Sequence, residues 1–195
     1  MKREDIMAKS FKKLTVCLVL VLALGVVAAC SSGSGSSAGS SSASGSSAAV
    51  TLDKNIDQEP LTYSVNAQWK QSGGKTGESS SEYKFETGEG TNVLTVNVED
   101  AEFADTPTNE FEKLHVSWVD YQGATDWQSS KASTVKVAGR DCIVYQCSWK
   151  LKNGDAVNMK IGYIEVPDGL VTISYFYDTG DASIFDAVVA SMKLA

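Results

Sequence analysis

Apolar and polar residues alternate with a period of two through most of the chain beyond residue 60. Tyr63, Val65, Ala67 and Trp69 fall two apart, the spacing that sets side chains on one face of a β-strand. The polar stretch SGGKTGESS interrupts this run, Tyr83 and Phe85 open a second strand, and Leu94, Val96 and Val98 make a third. The period then changes. Phe111, Leu114, Trp118 and Tyr121 lie three and four apart, behind Thr106 at an N-cap position and Pro107 at the first helical position. This predicts a helix over 107–121 that packs one stripe on a sheet.

After Trp127 the period returns to two. Ala132–Val137 reads as a strand that Ala138-Gly139-Arg140-Asp141 turns into a long one ending at Leu151, with Ile143, Tyr145, Cys147, Trp149 and Leu151 on one face. Asn153-Gly154 is a hairpin signal of the type I′ kind, because both residues tolerate positive φ. The return strand carries Val157, Met159, Ile161 and Tyr163, Pro167-Asp168-Gly169 turns again, and LVTISYFY is apolar on both faces, as a strand covered on both sides must be. Asp181 stands where it would cap a closing helix ridged by Ile184, Val188 and Met192. The fold class is α+β: an antiparallel β-sheet flanked by two helices, in the order β-β-β-α-β-β-β-α, within one domain spanning 51–195.

The first fifty residues follow other rules. Lys9, Lys12 and Lys13 precede an uncharged apolar run from Leu14 to Ala29, shorter than the roughly 20 residues a membrane span requires. Its length and flanks are those of a signal peptide, and it ends in Val27-Ala28-Ala29-Cys30. This VAAC sequence resembles the bacterial lipobox. The resemblance implies that residues 1–29 are removed and that the Cys30 thiol carries a diacylglycerol. Glu4 and Asp5 depart from the basic character of such leaders, whereas a start at Met7 gives the ordinary basic segment MAKSFKK. An ordinary secretory cleavage site that happens to hold a cysteine is the competing reading.

Residues 30–50 then form a tether. Ser31 to Ala49 are all serine, glycine or alanine, with nothing to bury and much backbone entropy to lose on ordering. As a coil they span about 25 Å root-mean-square. Two acyl chains hold a protein on a bilayer without a spanning helix, which places the domain on the outer face of the cell membrane, or in the outer membrane of a diderm source.

Five of the 17 basic residues (Lys2, Arg3, Lys9, Lys12, Lys13) and two of the 24 acidic ones (Glu4, Asp5) precede Cys30, leaving 12 against 22 in the mature chain. That charge repels phosphate backbones and anionic lipid surfaces, which excludes nucleic acid as a partner. The expected partners are a membrane, through the lipid, and an extracellular or envelope ligand, with a monomer as the default state. Of the four cysteines, Cys17 leaves with the leader and Cys30 takes the lipid. Cys142 and Cys147 are five residues apart on one strand, about 16 Å, too far for a disulfide and on opposite faces. Two free thiols are expected, with Cys147 in the core.

Trp69 closing an opening strand, the turn glycine in VKVAGRDCIVYQCSW, the hairpin behind it and the closing FDAVVASMKL together resemble the fold shared by PsbP, the extrinsic photosystem II protein, and the Ran-binding factor Mog1. These are core and turn positions, which signal fold. Where that family often has a proline before the tryptophan, Ala67-Gln68 stands here. No functional residue carries over.

Candidate chemistry is sparse. His115 is the single histidine, and no nucleophile elbow, zinc-protease, phosphate-loop or paired-cysteine motif accompanies it. A metal-dependent or His115-assisted hydrolase is thus the rival to a non-catalytic binding or accessory module, and a structural envelope component is a third reading. Glu99, Asp100, Glu102 and Asp105 could offer oxygen ligands to a hard cation, but lack the spacing and glycine of a calcium loop. Asp178, Asp181 and Asp186 raise the same question. No cofactor is expected. Trp127, Trp118 and Tyr121, with His115, are the candidate ligand-binding residues, since a loop tryptophan can stack on a sugar or anchor a partner. Trp127 folding back on the sheet edge is the competing reading.

Overall fold

A computed structural model of the chain describes residues 50–76, 80–88, 92–177 and 182–194. The leader, Cys30, the Ser/Gly/Ala tether, Asp178 and Asp181 lie outside the described residues. Strand β1 (Lys54–Gln58) turns through a cis Glu59-Pro60 peptide into β2 (Leu61–Val65). Strands β3 (Lys70–Thr76), β4 (Ser80–Glu86) and β5 (Val93–Asp100) follow, then helix α1 (Pro107–Val116) and one π-helical turn (Ser117–Tyr121). The second half runs β6 (Thr125–Ser129), β7 (Ser133–Val137), β8 (Arg140–Lys150), β9 (Ala156–Val166), β10 (Gly169–Tyr177), helix α2 (Ser183–Ser191) and β11 (Lys193–Leu194).

Two antiparallel sheets result. The larger has eight strands in the order β3-β4-β5-β10-β9-β8-β6, with β7 also paired to β8; the smaller is β1-β2-β11. Rows of paired residues cross the large sheet: Val96, Ile173, Gly162 and Val144 sit side by side on one face. That face carries Leu94, Val98, Val171, Ile164 and Cys142 into a core closed by Phe185, Val188 and Met192 of the α2 segment and by Ile56, Leu61, Tyr63 and Val65 of the small sheet. Gly162 is fixed by this packing, because a Cβ there would stand 2.8 Å from Cys142 Sγ and 3.0 Å from Phe185 Cζ. The opposite face buries Tyr145, Cys147, Trp149, Met159, Ile161, Tyr163 and Leu170, with Phe111 of α1 stacked on Tyr145 and Trp118 against Trp149. Strand β10 turns Val171, Ile173, Tyr175 and Tyr177 into the core closed by α2 and the small sheet, whereas on its other face Leu170 is buried and Thr172, Ser174 and Phe176 are only partly so. LVTISYFY therefore keeps an alternation, and the equal cover of both faces expected from its sequence is not met.

The class read from the sequence is the class observed, with more strands. Strand β1 precedes the first one read. The opening strand stops at Val65 and Trp69 lies in the turn beyond it, with its N–H on Asn66 O at 3.0 Å. SGG does not end a strand; it lies inside β3, where the register slips between Gln71 and Gly73. The helix read as 107–121 is α-helical only to Val116. Trp127 sits in a short strand, β6, rather than in a loop. The N-cap of α2 is Ala182, without a side-chain cap bond.

Candidate functional site

Helix α1 is set by its first turn. Thr106 caps it by accepting from Asn109 N at 3.4 Å, and Pro107 opens it. Asp105 accepts from Thr106 N and Asn109 Nδ2, each at 2.8 Å, and pairs with Lys113 at 3.2 Å. The Asn109 bond, then the backbone one, holds its carboxyl below the usual range. Beyond Val116 the pattern widens, with Gln122 N reaching Ser117 O at 3.1 Å. This wider turn breaks the stripe of three- and four-residue spacings: Trp118 is buried at 6% exposure while Tyr121 remains 58% exposed.

Trp127 approaches from the sheet edge. The register of β6 against β8 slips between Thr125 and Gln128, Asp126 takes φ 55, and its carboxylate pairs with Lys150 at 2.8 Å. The bulge re-aims the next side chain. The Trp127 ring stacks on Trp149 with centroids 5.0 Å apart, lies 5.0 Å from His115 and 6.3 Å from Phe111. Phe111 lies flat on Tyr145 at 3.8 Å, and Trp118 packs on Trp149 at 4.8 Å. The indole N–H groups of Trp118 and Trp149 are buried with no acceptor among the described residues.

Of the sequence-predicted residues, the structure therefore brings His115 and Trp127 together, with His115 exposed and Trp127 half-buried. Trp118 is spent on the core, which removes it as a ligand contact, and Tyr121 remains at the exposed end of the π turn. Trp127 does fold back on the sheet. Among the acidic residues Asp105 serves the helix N-terminus and Asp186 pairs with Lys160 at 2.6 Å. No group of three or more His, Cys, Asp or Glu able to hold a metal ion occurs among the described residues. Cys142 and Cys147 are free and both buried, so Cys142 joins Cys147 in the interior, each on its own face of the sheet.

Concavities among the described residues include two of similar size. One, of about 300 Å³, lies where β6 gives way to β7, between Gln128, Ser130, Gln146 and Asn158. The other, of about 350 Å³, has Trp69 in its wall. The second escaped the sequence reading because Trp69 fits the period-two run of core positions. Its polar neighbours Gln68 and Lys70 and the strand break beside it were the available signal.

No family model matches the chain and no curated protein does. Among solved structures, cyanobacterial PsbP from Synechocystis sp. PCC 6803 superposes with a TM-score of 0.52 at 14% identity, over 78% of this chain and 99% of that one. The architecture is PsbP-like. A variant of Mog1 matches at a TM-score of 0.46 and 14% identity, over 72% of this chain and 95% of that one. A protein from Bacteroides thetaiotaomicron VPI-5482 matches at 0.48 and 15%, over 70% of this chain, which spans 45% of that protein's length. At these identities the likeness is one of fold. In this PsbP-like chain no helix among the described residues is long and apolar enough to cross a membrane.

Proposed function

We propose that the protein is a lipid-anchored extracytoplasmic lipoprotein whose PsbP-like domain is a non-catalytic binding or accessory module. The observation that carries the reading is the leader itself: an uncharged apolar run of signal-peptide length, the small residues Ala28 and Ala29 before Cys30, and then nineteen residues of serine, glycine and alanine alone. A thiol acylated at Cys30 supplies attachment, and the tether lets an acidic domain stand off an anionic surface that repels it. An exposed imidazole beside an aromatic ring can contact a ligand. One side of the imidazole lies against Trp127, and neither buried thiol is near ionisation at neutral pH, since burial pushes Cys142 and Cys147 up to about 12.

Fractionation of cells making Cys30→Ala tests the anchor. The wild-type chain is expected in the membrane fraction and the variant in the soluble extracytoplasmic fraction. A variant that stays with membranes, its leader uncut, would show that the apolar run itself holds the protein.

A further inference from the structure

We propose that the cleft at Trp69 is a binding subsite for a neutral saccharide. This rests on the reading of the domain as a binding module and names its ligand class. The cleft lies between the turn that joins β2 to β3 and the end of β4. Its volume of about 350 Å³ falls within the roughly 300–1,000 Å³ typical of small-ligand sites.

The turn presents Trp69 in a fixed position. Trp69 N donates to Asn66 O at 3.0 Å, Gln68 N donates to Asn66 Oδ1 at 2.8 Å, and Ala67 N donates to Asp53 Oδ1 at 2.7 Å. One side of the half-buried indole packs against the core, so the ring is anchored without being enclosed. Asn66 spends its Oδ1 on the turn, and what it offers a ligand is its Nδ2 donor pair. Gln68 adds a second amide at the wall. Across the cleft, Lys70 Nζ and Glu86 Oε2 pair at 3.0 Å, and Thr87 Oγ1 donates to Tyr175 Oη at 3.4 Å.

The chemistry of this lining selects among ligands. Among the described residues the lining holds one cation and one anion, which pair with each other, so an anion would find a lysine already paired inside a strongly acidic domain, and a cation would find a carboxylate already paired. An apolar ligand would leave the amides and the ion pair desolvated. A pyranose ring satisfies all of them: its C–H face lies on the indole, an amphipathic surface suited to such contact, while vicinal hydroxyls donate to Glu86 and accept from Lys70, Asn66 and Gln68.

The test uses the full mature chain in a detergent without a sugar headgroup, with its four tryptophans replaced by 5-fluorotryptophan and Trp69→Phe used to assign the Trp69 fluorine resonance. Chitotetraose, maltotetraose, mannotetraose and a soluble peptidoglycan disaccharide are titrated in turn, with heparin as the anionic control. At least one neutral saccharide should shift the Trp69 resonance saturably while the signals of buried Trp118 and Trp149 stay in place. Gln68→Ala and Glu86→Gln, both at exposed or partly exposed positions, should each weaken that binding about tenfold, and heparin should leave Trp69 unmoved. No Trp69 shift with any of the four saccharides overturns the proposal, as does a response confined to Trp127. The latter outcome leaves the binding-module reading standing, and the membrane anchor is tested separately through Cys30.

Discussion

The Tyr63 hydroxyl donates a 2.9 Å hydrogen bond to Gln58 Oε1, inside the junction between the two sheets. The Nε2 of the same amide reaches Ser81 O at 2.9 Å, Ser81 Oγ at 2.8 Å and Val96 O at 3.3 Å. Gln58 is 3% exposed, so one polar side chain ties the small sheet to β4 and β5. Gln58→Leu keeps the bulk and removes the bonds, leaving the Tyr63 O–H buried without its acceptor and taking from Ser81 and Val96 the bonds they receive from the amide. A loss of about 2–3 kcal/mol is expected, read as a lower urea midpoint with an unchanged slope. An unchanged midpoint would mean that water replaces the amide.

Ala138 and Gly139, at φ 47 and 85, form the two-residue turn between β7 and β8. Positive φ at both positions is the type I′ requirement, and alanine pays a steric cost in that region that asparagine meets better. Ala138→Asn should stabilise the domain by about 0.5–1 kcal/mol. Gly139→Ala should destabilise it by about 1 kcal/mol on backbone grounds alone, because a Cβ there would meet nothing within 4 Å. Thermal midpoints of the two variants, moving in opposite directions, check both statements.

Burial raises the thiols of Cys142 and Cys147 to about 12 from an ordinary 9.0. In the native mature chain neither should react with iodoacetamide at pH 8 within minutes, whereas both should alkylate at once in urea, as peptide mapping would record. Their folded values lie above their unfolded ones, so their contribution to stability is full below about pH 9 and declines as pH rises from there towards 12. The buried Tyr63 and Tyr163 phenols, also raised by desolvation, act in the same sense at higher pH. Replacing both cysteines with alanine should flatten the first part of this alkaline decline. Rapid native alkylation of either thiol would contradict the burial described.

The strands that alternate cleanly were legible in the sequence, because burial on one face imposes a period of two, whereas the apolar look of LVTISYFY overstated the cover of the face that carries Thr172, Ser174 and Phe176. Thr106 and Pro107 marked the start of α1, where cap chemistry is local. What escaped was non-local or irregular. Nothing in 111–121 announces the π turn that buries Trp118 and leaves Tyr121 outside. Asn153-Gly154 reads as the type I′ turn, yet only Gly154 takes positive φ there. The turn closes instead through Gly154 N on Leu151 O and Leu151 N on Asp155 O, while the tight hairpin forms at Ala138-Gly139. Strand β1 carries only Ile56 as an apolar signal, since Gln58 is buried as a polar tie. At the candidate site, the contact of Trp127 with His115 depends on a bulge at Asp126 and on tertiary packing. The Trp69 cleft arises where segments sixteen or more residues apart converge, so the polar neighbours of Trp69 could signal its exposure but not the concavity.

The mass of the mature N-terminal peptide, from protein purified out of the membranes of a bacterial host, tests the central claim most directly. The expected mature chain begins at Cys30, lacks residues 1–29 and carries a diacylglycerol on the Cys30 sulfur. An N-terminal peptide with a bare Cys30 thiol, or one that still carries the Leu14–Ala29 run, would contradict it.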